Sequence, residues 1–144
     1  MILGGREINE GMPAYVVNQL IKEMILSSIN VENAKILMMG ISFKENCPDI
    51  RNTKVVEIYK ELIDLGANVD VFDPWVKKEE AKKEFQIDLI DEVRKDYYDA
   101  ILICVKHDSF KKLGLRKIRF FGKTQHVLYD LKYLFGRADT ELRL

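Results

Sequence analysis

The sequence has no excess of charge of either sign, because its 144 residues include 23 lysines and arginines and 23 aspartates and glutamates. A chain without a basic excess lacks the attraction that draws nucleic acids and anionic membranes to a protein surface. No apolar run approaches the roughly 20 residues that cross a bilayer. The first residues also lack the charged, apolar and cleavage regions of a signal peptide. The sequence therefore predicts a cytoplasmic protein with neither a nucleic-acid nor a membrane partner.

Cysteine is scarce, with only Cys47 and Cys104 in the chain. Neither belongs to a Cys-x-x-Cys pair or has a histidine at metal-ligand spacing, so no metal site is predicted. Cys104 lies within an apolar run and is expected to be a small buried residue. Cys47 lies in a polar stretch that offers no evident base or oxyanion site, which argues against a nucleophile. No catalytic residue is predicted from this chain.

Apolar runs alternate with segments of helical periodicity along most of the chain. The pattern predicts strands at 35–39, 68–72, 100–105 and 127–130, and helices at 12–28, 54–65, 77–85, 91–95, 109–113 and 115–121. We expect Asn9 to cap the first helix and Pro13 to lie near its first turn. Strand–helix alternation with apolar strands is typical of a parallel sheet covered on both faces. The predicted fold is α/β, a Rossmann-like three-layer domain with a mainly parallel sheet, preceded by an N-terminal helix.

Glycine is rare after the first predicted strand, where Gly40 stands alone and no Gly-x-Gly-x-x-Gly follows. The standard dinucleotide fingerprint is therefore absent, and a complete NAD site is not predicted. Asp73 ends the second strand, where Rossmann domains place a ribose-binding acid. Without the glycines, an Asp-Pro turn is the favoured interpretation of Asp73.

The loop from Gly40 to Thr53 (GISFKENCPDIRNT) carries most of the information about function. Open α/β sheets bind ligands at the carboxyl ends of their strands, and this loop follows the first strand. Lys44 and Arg51 suit phosphate or carboxylate, and both could face one ligand. On loop chemistry alone, an ordinary solvated loop fits equally well.

Polar residues near the other strand ends give weaker signals. Asp130 and Lys132 follow the fourth strand and so are expected on the ligand side of the sheet. His107 and His126 have no evident partner, so a structural or solvent-exposed role is favoured for both.

Three stretches match one family in the right order: Gly5–Met12 (GREINEGM), Gly40–Thr53 and Val69–Trp75 (VDVFDPW). A weaker match is Tyr129–Lys132 (YDLK). The chain resembles the C-terminal part of the UDP-glucose/GDP-mannose dehydrogenases, in the branch that acts on UDP-N-acetylhexosamines for polysaccharide biosynthesis. Of these stretches, Gly40–Thr53 is the specific one.

The resemblance implies a role within a larger enzyme. Family members combine an NAD-binding Rossmann domain, a central helical dimerisation region and a C-terminal domain that binds the nucleotide sugar. They oxidise the C6 alcohol of the sugar to a carboxylate. By resemblance, residues 1–30 would end the dimerisation region and form a homodimer through the N-terminal helix, and residues 31–144 would bind the UDP-sugar.

The resemblance also implies site residues. Arg6, Phe43 and Lys44 would contact the UDP-sugar substrate, and Arg51 would approach the NAD phosphates. NAD is expected only for a full-length member, because this sequence has no Gly-rich NAD domain and no segment like the one that holds the catalytic cysteine. Whether the chain is itself an enzyme therefore stays open.

Two alternatives remain at this point. The chain could be a non-catalytic dimerisation or regulatory module that uses the first helix, or a flavodoxin-like domain for an unrelated phosphate ligand. The sequence does not distinguish between the epimers of the UDP-N-acetylhexosamine.

Overall fold

The computed structural model describes residues 5–51 and 53–144, with side chains from residue 11 onward. Its centre is one five-stranded, all-parallel sheet in the order β2-β1-β3-β4-β5. The elements are α1 Gly5–Leu26, β1 Lys35–Met39, α2 Val55–Asp64, β2 Asn68–Phe72, α3 Lys78–Phe85, β3 Tyr98–Ile103, α4 Asp108–Phe121, β4 Gly122–Asp130, a 3-10 turn Arg137–Asp139 and β5 Leu142–Arg143. The predicted α/β fold with a parallel sheet is confirmed.

Both faces of the sheet are covered, because successive strand residues point to opposite faces. In β1, Ile36 and Met38 belong to one apolar cluster, whereas Leu37 and Met39 belong to another. The first cluster includes the buried residues of α1, α2 and α3, and the second includes those of α4. Helices on both faces make three layers, which explains why β1 is almost uniformly apolar.

Helix α1 begins earlier than its apolar pattern suggests. It starts at Gly5, so Asn9 lies inside the helix and the prediction that it forms the cap is wrong. Pro13 likewise lies beyond the first turn of the helix. Proline has no backbone N–H, so one hydrogen bond of the helix is missing there. The prediction failed because polar residues precede Met12, and the apolar repeat that marks the buried face begins only there.

The apolar side of α1 packs within this chain. Val16, Leu20 and Met24 are completely buried in the same cluster as the residues of α2 and β4. Burying each of the two larger side chains stabilises the fold by about 1.5–3 kcal/mol. Ile25 and Leu26 remain exposed at the end of the helix. Among the side chains of α1 that the structure describes, most of the apolar surface between Met12 and Met24 is therefore covered within the chain.

Several other segments differ from the predictions. The strands expected at 100–105 and 127–130 span Tyr98–Ile103 and Gly122–Asp130. Residues 91–95 were expected to be helical but form irregular backbone with bends, and the backbone N–H groups of Asp96 and Tyr97 just after them bond to the carbonyls at the end of α4. Strand β5 was not predicted, since its two residues are defined only by pairing with β4. Among the described residues, no helix is both long and apolar enough to cross a membrane.

Candidate functional site

The strand order places the topological switch point between β1 and β3, where open α/β sheets bind their ligands. Here the two loops that leave these strands are in direct contact. Gly40 has φ +99°, and a Cβ added to it would lie 2.6 Å from Cβ of Val105 and 3.0 Å from its backbone nitrogen. The glycine therefore allows the two loops to pack closely at this point.

Asp73 organises the loop that follows β1. Its buried carboxylate accepts hydrogen bonds from the backbone N–H groups of Ile41 (2.8 Å), Ser42 (3.1 Å) and Trp75 (2.9 Å). Burial alone would raise the pKa of Asp73, but the hydrogen bonds from His107 and the backbone outweigh it and hold this pKa below its usual value. The Asp-Pro turn interpretation agrees with the bond to Trp75, and the occupied carboxylate is not free for a ribose.

His107 completes this network beneath the loop. Its imidazole is fully buried, with Nε2 3.0 Å from Oδ1 of Asp73 and Nδ1 2.8 Å from the backbone nitrogen of Asn46. His126 makes contacts of another kind, to Arg119 and the carbonyl of Lys123. Both histidines thus have structural hydrogen bonds, as the sequence suggested.

A cavity of about 310 Å³ lies beside this network, at the carboxyl edge of the sheet. We call it the carboxyl-end cavity. It collects residues that follow β1, β3 and β4, the start of α2, one residue of α1 and the residue after β5. Its lining consists of Met12, Ser42, Phe43, Thr53, Lys54, Val55, Cys104, Leu131, Lys132 and Leu144.

Two lysines and a helix start give the carboxyl-end cavity positive character. Lys54 and Lys132 are exposed at its rim, and the first turn of α2 begins beside Lys54. A helix N-terminus carries partial positive charge from its free N–H groups, and with two ammonium groups it suits an anion such as a phosphate. Met12, Phe43 and Leu131 supply apolar surface for an uncharged part of a ligand.

Cys104 lies at the wall of the cavity but is only 1% exposed. Burial raises the pKa of its thiol to about 12, although the charge of Lys132 acts in the opposite direction. A thiol in this state is protonated at neutral pH and is a poor nucleophile. Cys104 is therefore the packing residue that the sequence predicted.

The structure separates the predicted site residues. Phe43 lines the carboxyl-end cavity, and Lys44 is exposed next to it. Arg51 instead lines a second cleft, about 620 Å³, between its loop and α3. There its guanidinium forms two bonds to Asp49, at 3.0 and 3.1 Å. The side chain of Arg6 lies outside the described residues.

Several cavity residues were not singled out from the sequence. Lys54 looked like the first residue of a helix, and Met12 and Leu144 gave no local signal of a site. Lys132 was expected on the ligand side and is found there. The sequence signal that could have found these residues is their position directly after a parallel strand or directly before a helix. Residues in such positions meet at one edge of the sheet.

A larger cavity, about 680 Å³, lies at the opposite edge of the sheet. Polar residues of the segments 28–34, 96–99 and 123–125 line it. Its volume exceeds that of the carboxyl-end cavity, but parallel sheets bind their ligands at the carboxyl ends of the strands. In the part of the chain that the structure describes, no group of three or more His, Cys, Asp or Glu side chains could hold a metal ion.

Two residues that the dinucleotide comparison singled out make contacts within the chain. Gly40, the single glycine of the turn after β1, packs against Val105. Asp73, in the place of a ribose-binding acid, hydrogen-bonds to the backbone of Ile41 and Trp75 and lies 3.0 Å from His107.

The comparison with protein families shows which family this chain belongs to. The model of the UDP-glucose/GDP-mannose dehydrogenase family, UDP binding domain, matches residues 37–137. The chain belongs to this family. The match begins within β1 and covers the loop Gly40–Thr53, here called the signature loop, and the sheet as far as β4, so it includes most residues of the carboxyl-end cavity.

Similar sequences come from bacterial enzymes of this family. The chain is 49% identical over 144 residues to a UDP-N-acetyl-D-glucosamine 6-dehydrogenase of Salmonella typhi and 51% identical to one of Pseudomonas aeruginosa. In both cases the whole chain is aligned but only 34% of the relative is covered. The chain therefore spans about a third of the length of these relatives.

Solved structures of related enzymes share the fold. An NDP-N-acetyl-D-galactosaminuronic acid dehydrogenase from Methanosarcina mazei aligns with a TM-score of 0.81 and 23% identity, over 93% of this chain and 28% of that one. A UDP-N-acetyl-mannosamine dehydrogenase from Staphylococcus aureus aligns with a TM-score of 0.70 and 28% identity, over 96% and 31%. The UDP-binding domain thus keeps its architecture in enzymes named for different sugars.

Proposed function

We propose that this chain provides the UDP-sugar-binding part of an NAD-dependent UDP-N-acetylhexosamine 6-dehydrogenase, and that the nucleotide binds in the carboxyl-end cavity. The observation that carries the proposal is the meeting of Phe43, Lys54 and Lys132 around one cavity in a UDP-binding domain. The high identity to two UDP-N-acetyl-D-glucosamine dehydrogenases supports the N-acetylglucosamine form of the substrate.

The diphosphate would lie against the basic part of the cavity. Lys54 and Lys132 both line it, one just before α2 and the other after β4. Two ammonium groups and a helix N-terminus can share the two negative charges of a pyrophosphate. Lys44, exposed on the same loop as Phe43, would add a third cation from the solvent side.

The uncharged part of the nucleotide would use the apolar lining. Phe43 is 54% exposed, which leaves its ring face available to a flat base or a sugar. Met12 and Leu131 provide further apolar surface nearby. Arg6, in the segment just before Met12, would complete the substrate contacts in the manner that the family resemblance implies.

The complete reaction needs parts that the described residues do not provide. NAD would supply hydride acceptance in a full-length enzyme, and Arg51 would approach its phosphates from the second cleft. In a full-length enzyme the ligand would lie between this domain and the NAD-binding domain. This domain alone makes only part of the ligand contacts, so we expect UDP to bind this chain weakly. The exposed Tyr15, Ile25 and Leu26 on α1 are where the homodimer would form, with residues 1–30 as the end of the dimerisation region.

A calorimetric titration with UDP tests the proposal. We expect a dissociation constant on the order of 0.1–1 mM, since a partial site supports only about 4–5 kcal/mol of binding free energy. Lys132→Ala should weaken UDP binding about tenfold, because a phosphate loses a charge-assisted hydrogen bond. Lys60→Ala is the matched control, since Lys60 is an exposed lysine of α2 outside the cavity lining.

The same calorimetric titration tests which ligand the site recognises. Flavin mononucleotide should compete poorly with UDP if the site recognises the uridine diphosphate. Equal affinity for flavin mononucleotide, or equal effects of Lys132→Ala and Lys60→Ala, would contradict the proposed site. A tight dimer that shows no heat of UDP binding would instead favour the dimerisation module.

A further inference from the structure

His107 bonds through both ring nitrogens, and the proposed function does not use it. Nδ1 is 2.8 Å from the backbone nitrogen of Asn46, and a backbone N–H can only donate. Nδ1 must therefore be unprotonated and accept this bond. In the neutral ring the proton is then on Nε2, which is 3.0 Å from Oδ1 of Asp73.

The surrounding hydrogen bonds agree with this tautomer. The hydroxyl of Ser42 donates to the carbonyl of Lys44 at 2.9 Å, so its oxygen is left as an acceptor facing Nε2 at 3.3 Å. The Asp73 carboxylate is an acceptor only. Nε2–H therefore meets two acceptors, and every donor in the group has a partner.

These bonds fix both ends of the short exposed segment that carries Phe43. At one end, the N–H of Ser42 donates to Asp73. At the other end, Asn46 donates its N–H to His107, and its side-chain oxygen accepts from the N–H of Asp108 at 3.0 Å. Phe43 and Lys44 lie between these two anchors and are exposed.

Asn46 turns the chain at the end of this segment. Its φ is +54°, in the left-handed region where asparagine is among the few non-glycine residues commonly found. The imidazole is fully buried and packs against the Phe110 ring at a centroid distance of 5.1 Å. The acceptor is thus rigid, whereas the loop that it holds is exposed.

We propose that His107 is a positioning residue for nucleotide binding: Nδ1 of its neutral Nε2–H tautomer holds Asn46, and through it Phe43, at the carboxyl-end cavity. The charged groups around the imidazole are the Asp73 carboxylate, from the end of β2, and Asp108, whose backbone N–H bonds to Asn46. A proton added to Nδ1 would remove the only lone pair that Asn46 can use. The proposal rests on the proposed UDP site, but the loop anchor can be measured without any ligand.

The tautomer is the first readout. A long-range proton–nitrogen correlation spectrum of the 144-residue chain should show Nδ1 of His107 unprotonated and Nε2 protonated. A protonated Nδ1 at neutral pH would overturn the proposal, because Asn46 would then have no acceptor.

Two substitutions separate the two ring nitrogens. The amide oxygen of His107→Asn lies about where Nδ1 was and can accept from Asn46, whereas the amide nitrogen of His107→Gln lies about where Nε2 was and can donate to Asp73. We expect His107→Gln to weaken UDP binding about tenfold and His107→Asn to stay within about threefold of the unmodified chain. His126→Gln, in the middle of β4, controls for loss of a structural histidine.

The outcomes distinguish positioning from stability alone. If His107 only stabilised the fold, His107→Gln and His107→Asn would lower the melting temperature without a difference in UDP affinity, and the proposal would be wrong. If the unmodified chain binds no UDP, the proposed function fails. The anchor is then judged by amide hydrogen exchange at Asn46, which should accelerate at least tenfold in His107→Gln but not in His107→Asn; equal exchange in both would overturn it.

Discussion

Phe43 and Lys132 border the same cavity, although one follows β1 and the other follows β4, and β3 lies between those strands. This arrangement results from the parallel sheet, in which the carboxyl ends of all strands meet at one edge. At the topological switch point, Gly40 packs against Val105. Met12 of α1 and Lys54 and Val55 at the start of α2 line the carboxyl-end cavity, which therefore lies on the α1 and α2 side of the sheet.

Phe43 provides a test of the apolar part of the cavity. Phe43→Ala should weaken UDP binding by about 1–2 kcal/mol, because stacking of a base or sugar on an aromatic ring contributes about this much. The control is Phe120→Ala, since Phe120 is 58% exposed, close to the 54% of Phe43, but lies at the end of α4. Calorimetry on both variants measures the difference, and equal affinities would exclude Phe43 from the site.

Gly40 should tolerate no side chain. Gly40→Ala places a Cβ 2.6 Å from that of Val105 in a backbone of φ +99°, so we expect a loss of about 2–4 kcal/mol in the free energy of unfolding. Gly114→Ala is the matched control, because Gly114 has φ +84° but nothing within 4 Å of an added Cβ. In Gly114→Ala, backbone strain alone should lower the free energy of unfolding by about 1–2 kcal/mol.

Urea unfolding of the two glycine variants separates strain from contact. The loss should be larger for Gly40→Ala, and a similar loss in both would mean that the loops at the switch point can move apart.

The strands were the most predictable part of the fold. The bounds of β1 and β2 agree with the predictions. The run of β2 is bounded by Gly66 two residues before it and by Asp73-Pro74 directly after it. The start of α1 and the strand β5 were missed, since neither has an apolar repeat of its own. The prediction at 91–95 failed for another reason: the segment leads into Asp96 and Tyr97, whose backbone N–H groups bond to the end of α4, and the local sequence does not show this long-range pairing.

The site was only partly predictable. The signature loop and Lys132 were placed on the ligand side from their position after strands, and they lie there. The role of His107 depends on contacts with Asp73 and Asn46, which come from distant parts of the chain. No spacing rule predicts such contacts. Likewise, nothing in the loop indicated that Arg51 would face a different cleft from Phe43.

Asp73 makes the stability of the chain depend on pH. Its pKa is lowered in the folded state, so its ionised form contributes stability that is fully present above its unfolded pKa of about 3.9. This contribution is lost as the pH falls below that value toward the folded pKa. Asp73→Asn should therefore be less stable than the unmodified chain at pH 7, by about 2–4 kcal/mol, and the difference should narrow below pH 4.

Urea unfolding of the unmodified chain and Asp73→Asn from pH 7 to pH 3 measures this effect. The other carboxylates titrate in both proteins, so the difference between the two curves isolates Asp73. A difference that stays constant over this range would show that the pKa of Asp73 is the same in the folded and unfolded states, and an Asp73→Asn variant that loses relative stability as the pH falls would show that folding raises this pKa.

The two thiols should differ in reactivity. Burial raises the pKa of Cys104 to about 12, whereas Cys47 is partly exposed in the loop. A thiol reagent at pH 7.5 should therefore modify one thiol in the folded chain and two after unfolding, with Cys104 at least about 100-fold slower than Cys47. Mass spectrometry of the digested product identifies the modified residue. Rapid labelling of Cys104 in the folded chain would mean that the cavity wall opens.

The central claim is that UDP binds in the carboxyl-end cavity. Amide chemical-shift mapping during a titration with UDP-N-acetylglucosamine tests it most directly, with Lys44→Ala titrated in parallel. We expect the amides of Phe43, Val55, Lys132 and Leu144 to shift together, with weaker shifts in Lys44→Ala. Shifts confined to the cavity at the amino ends of the strands, around Asn30 and Thr124, or no shifts at millimolar ligand, would contradict it.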